Sequence, residues 1–497
     1  MPSVKEQLVR FMDAGFPILY LNTYEEEKAD KIIHSMAGGK RILEWTIRGL
    51  HDIKEGSFVT DISLADALEM LLSDKGNLDR SVLILKDAYT FIDMPQVSAR
   101  LKLIAQLINQ GELDSSVIIV SPVVRIPKDL ENHITILTMD YLTQEDIRKV
   151  ILDFCEVQEI SKLNDTFLDE LVLTFKGLTE SEICNILALA VSENREIGQS
   201  DLSLIIDQKQ QMIQKAGILE MIPLKETIND IGGLENLKKW LQRKAKIFKN
   251  INEAQKYGVD APKGVLIAGM PGCGKSLNAK AAANLFGVPL LRMDMGRLMG
   301  KYVGESEGNM RKAIALAEAI SPCVLWIDEL EKAFSGIGGE GSGSDVTTRL
   351  FGNFLTWMQE KESLAFVVAT ANNIAKMPPE LLRKGRFDEI FYVGLPNATE
   401  RRKIFEIHIK KRRKNDLKSI DLQQLVSKTE GYSGADIEGV VRDGVEEAFA
   451  TDQKSLTTKD ILKAIEDTHS LSEIMKDSLD KMSKLYKERK FKNASEE

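Results

Sequence analysis

The stretch Gly269-Met270-Pro271-Gly272-Cys273-Gly274-Lys275-Ser276 decides how this chain folds. It fits the pattern of glycine, four residues and Gly-Lys-Ser, in which a glycine-rich backbone points its N–H groups at phosphate oxygens. A short apolar run at 264–268 precedes it, and the alanine-rich segment 277–286 favours a helix after it. Strand, loop and helix in this order place the loop at a helix N-terminus, where anions are stabilised. The stretch predicts a phosphate-binding loop, the alternative being a plain glycine-rich turn.

Two side chains of this loop have a direct role in the prediction. Lys275 would reach the β- and γ-phosphates of a nucleotide, and the Ser276 hydroxyl would ligate Mg²⁺. The other positions expected to contact the nucleotide are Pro271, Gly272, Cys273, Gly274 and Leu277.

A second apolar run ends in two carboxylates. Residues 324–327 are followed by Asp328 and Glu329, and the ends of buried parallel strands are where α/β sheets form their ligand crevice. Asp328 would hold Mg²⁺ through water, and Glu329 would polarise the attacking water. A third run, 366–371, ends at Asn372, which would lie beside Glu329 and orient that water, or alternatively only cap a loop. These patterns predict a site for ATP and Mg²⁺.

Length and composition bound the class of protein. A chain of 497 residues is too long for one hydrophobic core, so we expect two or three domains. Its 43% hydrophobic and 28% charged residues are typical of a soluble globular protein, and the net charge of −9 disfavours nucleic acid as a partner. We expect no signal peptide and no membrane association, because no stretch approaches the ~20 apolar residues of a membrane span. A cytoplasmic location is predicted.

The spacing of the cysteines and histidines disfavours a zinc site. The four cysteines form no CxxC pair, which indicates a reducing compartment and no structural zinc. The chain contains no HExxH, so a fused zinc protease is excluded. Cys273 lies near a predicted helix N-terminus, which could lower its thiol pKa and make it oxidisable. The alternative is that the loop simply needs a small residue there.

Residues 1–215 alternate short apolar runs with helical stretches, a pattern typical of an α/β fold. The runs at 17–21 and 82–87 occupy the places that 264–268 and 324–329 hold in the second half. We interpret this half as a duplicated module that has lost its site. No glycine-rich loop follows its first strand, so no cradle of N–H groups is expected there and no ATP binding.

The second half resembles the AAA family over about residues 224–470. Besides the motifs above, the family's order is matched by Asp230-Ile231-Gly232-Gly233-Leu234, Tyr302-Val303-Gly304-Glu305-Ser306-Glu307, Leu381-Leu382-Arg383-Lys384-Gly385-Arg386-Phe387-Asp388 and Gly434-Ala435-Asp436. The layout is similar to AAA proteins of cyanobacteria and plastids called hypothetical chloroplast reading frame forty-six. The resemblance implies an α/β P-loop AAA+ module, with a parallel sheet flanked by helices plus a helical lid, preceded by a degenerate AAA-like α/β module. It also implies the plastid stroma as the location if the chain is plastid-encoded.

The resemblance also assigns roles to individual residues. Arg383 and Arg386 match arginine fingers, which in this family reach the nucleotide of the neighbouring subunit and can be worth ~10³–10⁵ in kcat. It therefore implies a homo-oligomeric ring, typically a hexamer, the alternative being a surface arginine pair. Asn372 matches sensor 1, and Glu331 matches a second acid after Asp328 and Glu329. The residues that would border the adenine are Asp230, Ile231 and Gly232, with His408, Gly434 and Ala435 from the lid.

Three further segments have two interpretations each. Tyr302 matches an aromatic central-pore loop that grips extended polypeptide, or is a tyrosine packed in an interface. Residues 336–344 are a mobile second pore loop or a flexible linker. Residues 472–492 read as an amphipathic helix that packs on the ring or a partner, or as a solvated helix.

We therefore predict four segments: a degenerate ATPase-like domain at 1–215, a P-loop ATPase domain at 216–396, a helical lid at 397–470 and a helical tail at 471–497. The predicted function is Mg²⁺-dependent ATP hydrolysis coupled to remodelling or unfolding of a protein substrate. The alternative is an ATP-dependent regulatory switch that binds a partner through its N-terminal half and threads nothing. A nucleic-acid motor is disfavoured by the acidic balance. The identity of the protein partner is not encoded in any motif.

Overall fold

The chain forms two compact units in the computed structural model. The first unit comprises Met1–Thr143 with Thr179–Ile183, and the second comprises Gln144–Leu178 with Cys184–Glu497. Each unit contains one seven-stranded sheet. The structure describes residues 4–23, 25–73, 77–161, 163–192, 196–215, 217–298, 305–334, 343–374, 377–383, 385–470, 473, 481–482, 484–486, 488–489 and 491–496.

The first unit is a mixed sheet with helices. Its strands are β1 (Ile18–Asn22), β2 (Arg41–Thr46), β3 (Gly49–Asp52), β4 (Phe58–Thr60), β5 (Ser81–Lys86), β6 (Ser116–Ser121) and β7 (Ile134–Thr138). Its helices are α1 (Val4–Asp13), α2 (Glu26–Met36), α3 (Leu64–Ser73) and α4 (Pro95–Asn109). In space the strands run β4-β3-β2-β5-β6-β1-β7, and only β2-β3 and β3-β4 pair antiparallel.

Four helices follow this sheet along the chain. They are α5 (Gln144–Val157), α6 (Asp165–Phe175), α7 (Glu180–Val191) and α8 (Leu202–Lys215). Within the second unit, Gly177 packs so tightly on Ile320 that a Cβ would lie 2.4 Å from its Cγ1 atom. The Lys176 ammonium donates to the Ser321 carbonyl beside it. The segment after α6 is thus fixed to the second sheet's helical layer.

The second unit carries the phosphate-loop sequence. Its strands are β8 (Leu219–Ile222), β9 (Gly264–Gly269), β10 (Leu290–Met293), β11 (Cys323–Ile327), β12 (Ala365–Ala371), β13 (Glu389–Val393) and β14 (Lys492–Asn493). Its helices before the lid are α9 (Glu235–Lys249), α10 (Ile251–Lys256), α11 (Lys275–Phe286), α12 (Met295–Leu298), α13 (Glu305–Ile320) and α14 (Gly343–Glu360). The strand order is β14-β13-β9-β12-β11-β10-β8, and only β8 is antiparallel to its neighbour.

The two sheets share one five-stranded parallel arrangement. Within it, the first unit runs β7-β1-β6-β5-β2 and the second runs β13-β9-β12-β11-β10. Numbered along the chain, the five strands stand in the same spatial order in both sheets. The turn after the third of them holds a left-handed non-glycine residue in each case, Asp87 at φ 50° and Glu329 at φ 48°. This agreement confirms the predicted α/β fold of both halves and supports the predicted duplication.

Burial explains why the strands of the second sheet read as continuous apolar runs. Every residue of β9, β11 and β12 is buried, because helices cover both faces of a parallel sheet. The lid helices α15 (Ala398–Arg413), α16 (Leu422–Lys428), α17 (Gly434–Ala450) and α18 (Thr458–Glu466) enclose a separate apolar core. Among the described residues, no helix is both long enough and apolar enough to span a bilayer. The predicted domain limits at 215, 396 and 470 remain predictions.

Candidate functional site

The phosphate-loop sequence lies between β9 and α11, as its pattern predicts. Gly269 ends β9, and Gly274 at φ 81° immediately precedes the first residue of α11, Lys275. Gly272 also has a positive φ, 72°, which a residue with a Cβ rarely adopts. The two glycines therefore let the backbone turn sharply just before the helix N-terminus, where N–H groups have no partner within the helix.

Lys275 is buried at this turn. Its ammonium donates to the carbonyl oxygens of Gly269 at 3.1 Å and Met270 at 2.6 Å. Burial lowers the pKa of Lys275, while the nearby carboxylates of Glu331, Asp328 and Glu329 act to raise it. The lysine is held inside the loop that it is predicted to serve.

Three oxygen-bearing side chains from different elements meet beyond the loop. The Ser276 hydroxyl donates to Asp328 Oδ1 at 3.3 Å, and the Thr370 hydroxyl donates to the same atom at 2.6 Å. Asp328 follows the end of β11, Thr370 lies on the neighbouring strand β12, and Ser276 is the second residue of α11. Hydroxyl and carboxylate oxygens are the ligands that Mg²⁺ prefers. The residues present therefore fit a magnesium site.

A second set of hydrogen bonds fixes Glu329 and Glu331, the acidic residues that follow β11. Asn372 Nδ2 donates to Glu329 Oε1 at 3.0 Å, and the Asn372 backbone N–H donates to Glu331 Oε1 at 3.0 Å. The Glu329 backbone N–H donates to the Thr370 hydroxyl at 3.1 Å. Glu329 also pairs with the exposed Lys332 ammonium. The predicted base and the predicted sensor are thus in direct contact.

The other side of the site is formed by the segment before α9 and by the lid. Asp230 accepts hydrogen bonds from the backbone and hydroxyl of Thr227, which lower its pKa. Gly232 is so close to α15 that a Cβ would lie 2.4 Å from Ile404 Cγ1. On the same helix, burial lowers the pKa of His408. Its Nδ1 atom lies 3.7 Å from Glu438 Oε1.

The lid is tied to the phosphate loop by a backbone hydrogen bond. The Ala435 N–H donates to the Gly272 carbonyl at 2.9 Å. Ser433 caps α17, with its hydroxyl accepting from the Asp436 N–H at 3.2 Å. A Cβ on Gly272 would lie 2.8 Å from that hydroxyl oxygen and 3.1 Å from Ala435 Cβ. Only glycine permits this approach.

These parts enclose one cavity of about 770 Å³, within the range usual for small-molecule sites. Most of the predicted site residues line it, including the predicted magnesium ligands, base and sensor. The predicted residues on its wall are Asp230, Ile231, Gly232, Pro271, Gly272, Cys273, Gly274, Lys275, Ser276, Leu277, Asp328, Glu329, Asn372, His408, Gly434 and Ala435.

The two predicted arginine fingers are absent from this wall. Arg383 is exposed, and Arg386 donates to the Glu380 carbonyl within its own loop. Tyr302 and residues 336–342 lie outside the described residues. The interpretations of the two pore loops therefore remain predictions.

The possibility that Cys273 has a lowered thiol pKa is wrong. Burial dominates over the Lys275 charge and raises the pKa of Cys273 to about 11. The partly buried side chain packs against the apolar cluster of α9, β9 and α11. The alternative interpretation, a small residue that fits the loop, agrees with this environment.

Sequence patterns missed several residues of the site, among them Thr370 and Glu400. Thr370 holds Asp328 and Glu329, and the signal was a hydroxyl within an otherwise apolar strand. Glu400 accepts from the Leu234 N–H at 2.8 Å and so fixes the segment before α9. Its signal was the pair Asn397 and Glu400, which forms a capping box at the start of α15.

Comparison with protein families covers most of the chain. The profile of the "ATPase family associated with various cellular activities (AAA)" matches residues 265–395, and that of the "AAA+ lid domain" matches 419–463. The profile "SpoVK-like AAA ATPase, N-terminal domain" matches 4–139, and its "second domain" counterpart matches 145–216.

Similar proteins extend over nearly the whole length. The "Uncharacterized AAA domain-containing protein ycf46" of Guillardia theta is 40% identical over 91% of this chain and 89% of its own. The protein of the same name in Pyropia yezoensis is 35% identical over 93% of both chains. The "Cell division cycle protein 48 homolog" of Archaeoglobus fulgidus is 33% identical over 51% of this chain and 34% of its own. The strand order, the phosphate loop and these relatives lead to one conclusion: the chain belongs to the AAA ATPase family, among proteins of the ycf46 type.

Proposed function

We propose that this chain binds ATP with Mg²⁺ and hydrolyses it to ADP and phosphate. One observation carries the proposal: Lys275, Ser276, Asp328, Glu329 and Asn372 come from the start of α11, the turn after β11 and the end of β12, and they converge on one cavity. The hydrogen bonds that join the last four fix their relative positions, and binding and hydrolysis of a nucleoside triphosphate need these groups together.

The loop side of the cavity would bind the phosphates. Lys275 would exchange its bonds to the Gly269 and Met270 carbonyls for phosphate oxygens, a favourable exchange because the oxygens are charged. Ser276 and Asp328 would hold Mg²⁺, which when bound neutralises charge on the β- and γ-phosphate oxygens.

Glu329 would act as the base that accepts a proton from the attacking water. Its carboxylate is partly exposed to the cavity, and the Asn372 amide holds one of its oxygens at 3.0 Å. Glu331 in turn holds the Asn372 backbone. This chain of bonds would keep the base aimed at the γ-phosphate.

We further propose that the active form is a homo-oligomeric ring. The described part of the chain places Arg383 and Arg386 outside its own cavity, whereas arginine fingers supplied by a neighbour complete such sites in trans. In a ring, the fingers of one copy would face the nucleotide of the next.

The most specific part of the proposal is remodelling of a protein substrate, with Tyr302 gripping the polypeptide. One observation favours the alternative of a regulatory switch. The first unit keeps the strand order of the ATPase module, but the residues at the turn after its third parallel strand differ. Lys86 ends β5 and forms ion pairs with Asp30 at 2.7 Å and Glu44 at 3.1 Å. Such a module is suited to binding a partner rather than a nucleotide. Location in the cytoplasm or plastid stroma remains a prediction.

The test of the ATPase proposal is turnover per chain measured against protein concentration. Wild-type turnover should rise steeply, and Arg386→Ala should abolish the rise. A matched control is Arg402→Ala, which removes an exposed arginine of the lid that pairs with Glu406. Flat turnover that survives Arg386→Ala would contradict the ring and favour a switch in which each chain acts alone.

Threading is tested separately by Tyr302→Ala. The variant should still bind and hydrolyse ATP but lose remodelling of a partner protein. Remodelling that survives in this variant would contradict threading through Tyr302.

A further inference from the structure

The end of the chain adds a strand to the sheet of the second unit. We call residues 491–496 the C-terminal strap. Its strand β14 pairs in parallel with β13, and the Ala494 N–H donates to the Tyr392 carbonyl at 2.9 Å. Ala494 is fully buried, in the same apolar cluster as β9, α9 and α11. The strap is therefore anchored by its backbone and by one small apolar side chain.

The same residue caps helix α9. No side chain caps this helix at Leu234, so the N–H groups of its first turn need other acceptors. The Ala494 carbonyl accepts from the Asn236 N–H at 3.0 Å and from the Leu237 N–H at 3.2 Å. The Asn236 side-chain amide also donates to the Ser495 carbonyl at 2.8 Å. The strap replaces the missing cap.

Both elements that the strap holds continue directly into the nucleotide cavity. Leu234, just before α9, lines the cavity together with Ile231 and Gly232. On β13, the residue after Tyr392 is Val393, whose carbonyl accepts from the Met270 N–H of the phosphate loop at 2.9 Å. The strap thus supports the adenine side and the phosphate side at once.

Tyr486 provides a second anchor on the same strand. Its ring stacks on Tyr392 with centroids 4.3 Å apart and planes 28° apart, and it is 2% exposed. It belongs to the buried cluster that also contains Leu330 and Ile374, which lie next to the acidic turn and to the Asn372 loop. Tyr392 is therefore held in two ways: Tyr486 stacks on its ring, and the Ala494 N–H donates to its backbone carbonyl.

We propose that the C-terminal strap is a positioning element of the nucleotide site: it clamps β13 and the start of α9 in the arrangement that binds nucleotide. The proposal rests on the proposed function for the identity of the ligand. Because coupling between two equilibria is reciprocal, a strap that favours nucleotide binding is itself held more firmly when nucleotide is bound.

Detaching the strap in the full chain tests the proposal. Ala494→Glu places a carboxylate where a buried methyl group lies, and an unpaired charge cannot remain there, so β14 should separate from the sheet. The dissociation constant for ADP with Mg²⁺ should rise roughly 5- to 150-fold, the usual range of such coupling. The matched control is Ser495→Glu, which adds the same charge one residue further on at a partly exposed position and should stay within twofold of wild type.

The outcomes separate the two proposals. A wild-type chain that fails to bind ADP would contradict the proposed function and this inference with it. A wild-type chain that binds ADP, with equal affinity in Ala494→Glu, would contradict the strap inference alone.

Hydrogen exchange on the unmodified chain gives a measurement that does not depend on the folding of a variant. ADP with Mg²⁺ should slow exchange at the N–H groups of Ala494, Asn236 and Leu237, which form the strap's hydrogen bonds. The slowing should be absent in Lys275→Ala. If bound ADP leaves the exchange rate at these groups unchanged in the wild type, the proposal is wrong.

Discussion

Glu329 has a backbone conformation that is unusual for a residue with a side chain, at φ 48°. Such conformations cost of order 1–3 kcal/mol and persist where the surroundings over-determine them. Here the Thr370 hydroxyl holds its N–H and the Asn372 amide holds its carboxylate. Asp87 has nearly the same φ at the matching turn of the first unit, so this conformation belongs to the strand arrangement that the two units share.

Glu329→Gln should separate binding from hydrolysis. The amide keeps the size of the side chain but cannot accept a proton, so we expect kcat to fall about 10²–10⁴-fold with ADP affinity little changed. Glu362→Gln, at an exposed position before β12, is the control and should leave turnover unchanged. A Glu329→Gln chain with wild-type turnover would show that another group acts as the base.

Cys273 should be a slow nucleophile despite its place at a helix N-terminus. With its pKa raised to about 11 by burial, its thiolate fraction at pH 7.5 is roughly 10²–10³-fold below that of a free cysteine. Alkylation by iodoacetamide, followed by peptide mass spectrometry, should accelerate about tenfold per pH unit between pH 8 and 10. Rapid labelling at pH 7.5 would contradict this environment.

At the scale of single residues, sequence analysis recognises contacts between neighbours in the chain and misses contacts between residues that lie far apart in it. The phosphate loop, the acidic pair after β11 and Asn372 after β12 are each recognisable from a few neighbouring residues. Glu400 contacts Leu234, which lies 166 residues away, and no local pattern encodes that pairing. The direction of the Cys273 shift likewise depends on residues from α9 and the lid that bury it.

At the scale of elements, the lid and the phosphate loop are joined at Gly272. Gly272→Ala would place a methyl group 2.8 Å from the Ser433 hydroxyl in addition to straining φ. We expect it to lower both the melting temperature and ADP affinity. Gly258→Ala, at φ +90° with no atom within 4 Å of its Cβ, is a control for the strain alone and should lower only the melting temperature. Equal ADP affinities in the two variants would show that the contact between Gly272 and the lid does not contribute to nucleotide binding.

Strands β1, β5, β9, β11 and β12 could be predicted because each is a run of apolar residues bounded by turns. Strand β14 could not, since Lys492 and Asn493 are polar and exposed, and their pairing with β13 is not encoded in an apolar run. The sequence pattern placed residues 472–492 in a helix, and nothing within the segment indicated that its end adds to β13. Backbone pairing with a distant strand leaves little trace in composition.

At the scale of the whole molecule, two modules share one strand order but differ at the turn after the third strand. Where the second unit has Asp328 and Glu329, the first has Lys86 and Asp87. Burial acts to lower the pKa of Lys86, but its hydrogen bonds to Asp30 and Glu44 outweigh burial and raise it. A fixed cation therefore stands where the second unit has the carboxylate of Asp328, the proposed magnesium ligand.

One nucleotide should bind per chain. Calorimetric titration with ADP and Mg²⁺ should give a stoichiometry near one for the wild type, because within the described residues the second unit alone brings a phosphate loop and carboxylates together. Lys275→Ala should then remove all binding. Residual binding in Lys275→Ala would place a second site in the first unit and contradict its interpretation as a degenerate module.

The central claim, an ATPase whose sites are completed between copies, is tested most directly by mixing two inactive variants. Lys275→Ala chains lose the phosphate site but keep their arginines, whereas Arg386→Ala chains keep the site. Each alone should turn over ATP poorly, and mixing them should restore part of the wild-type turnover, because some interfaces then combine an intact site with an intact Arg386. If the mixture is no more active than its parts, or if Arg386→Ala alone is as active as the wild type, the claim is wrong.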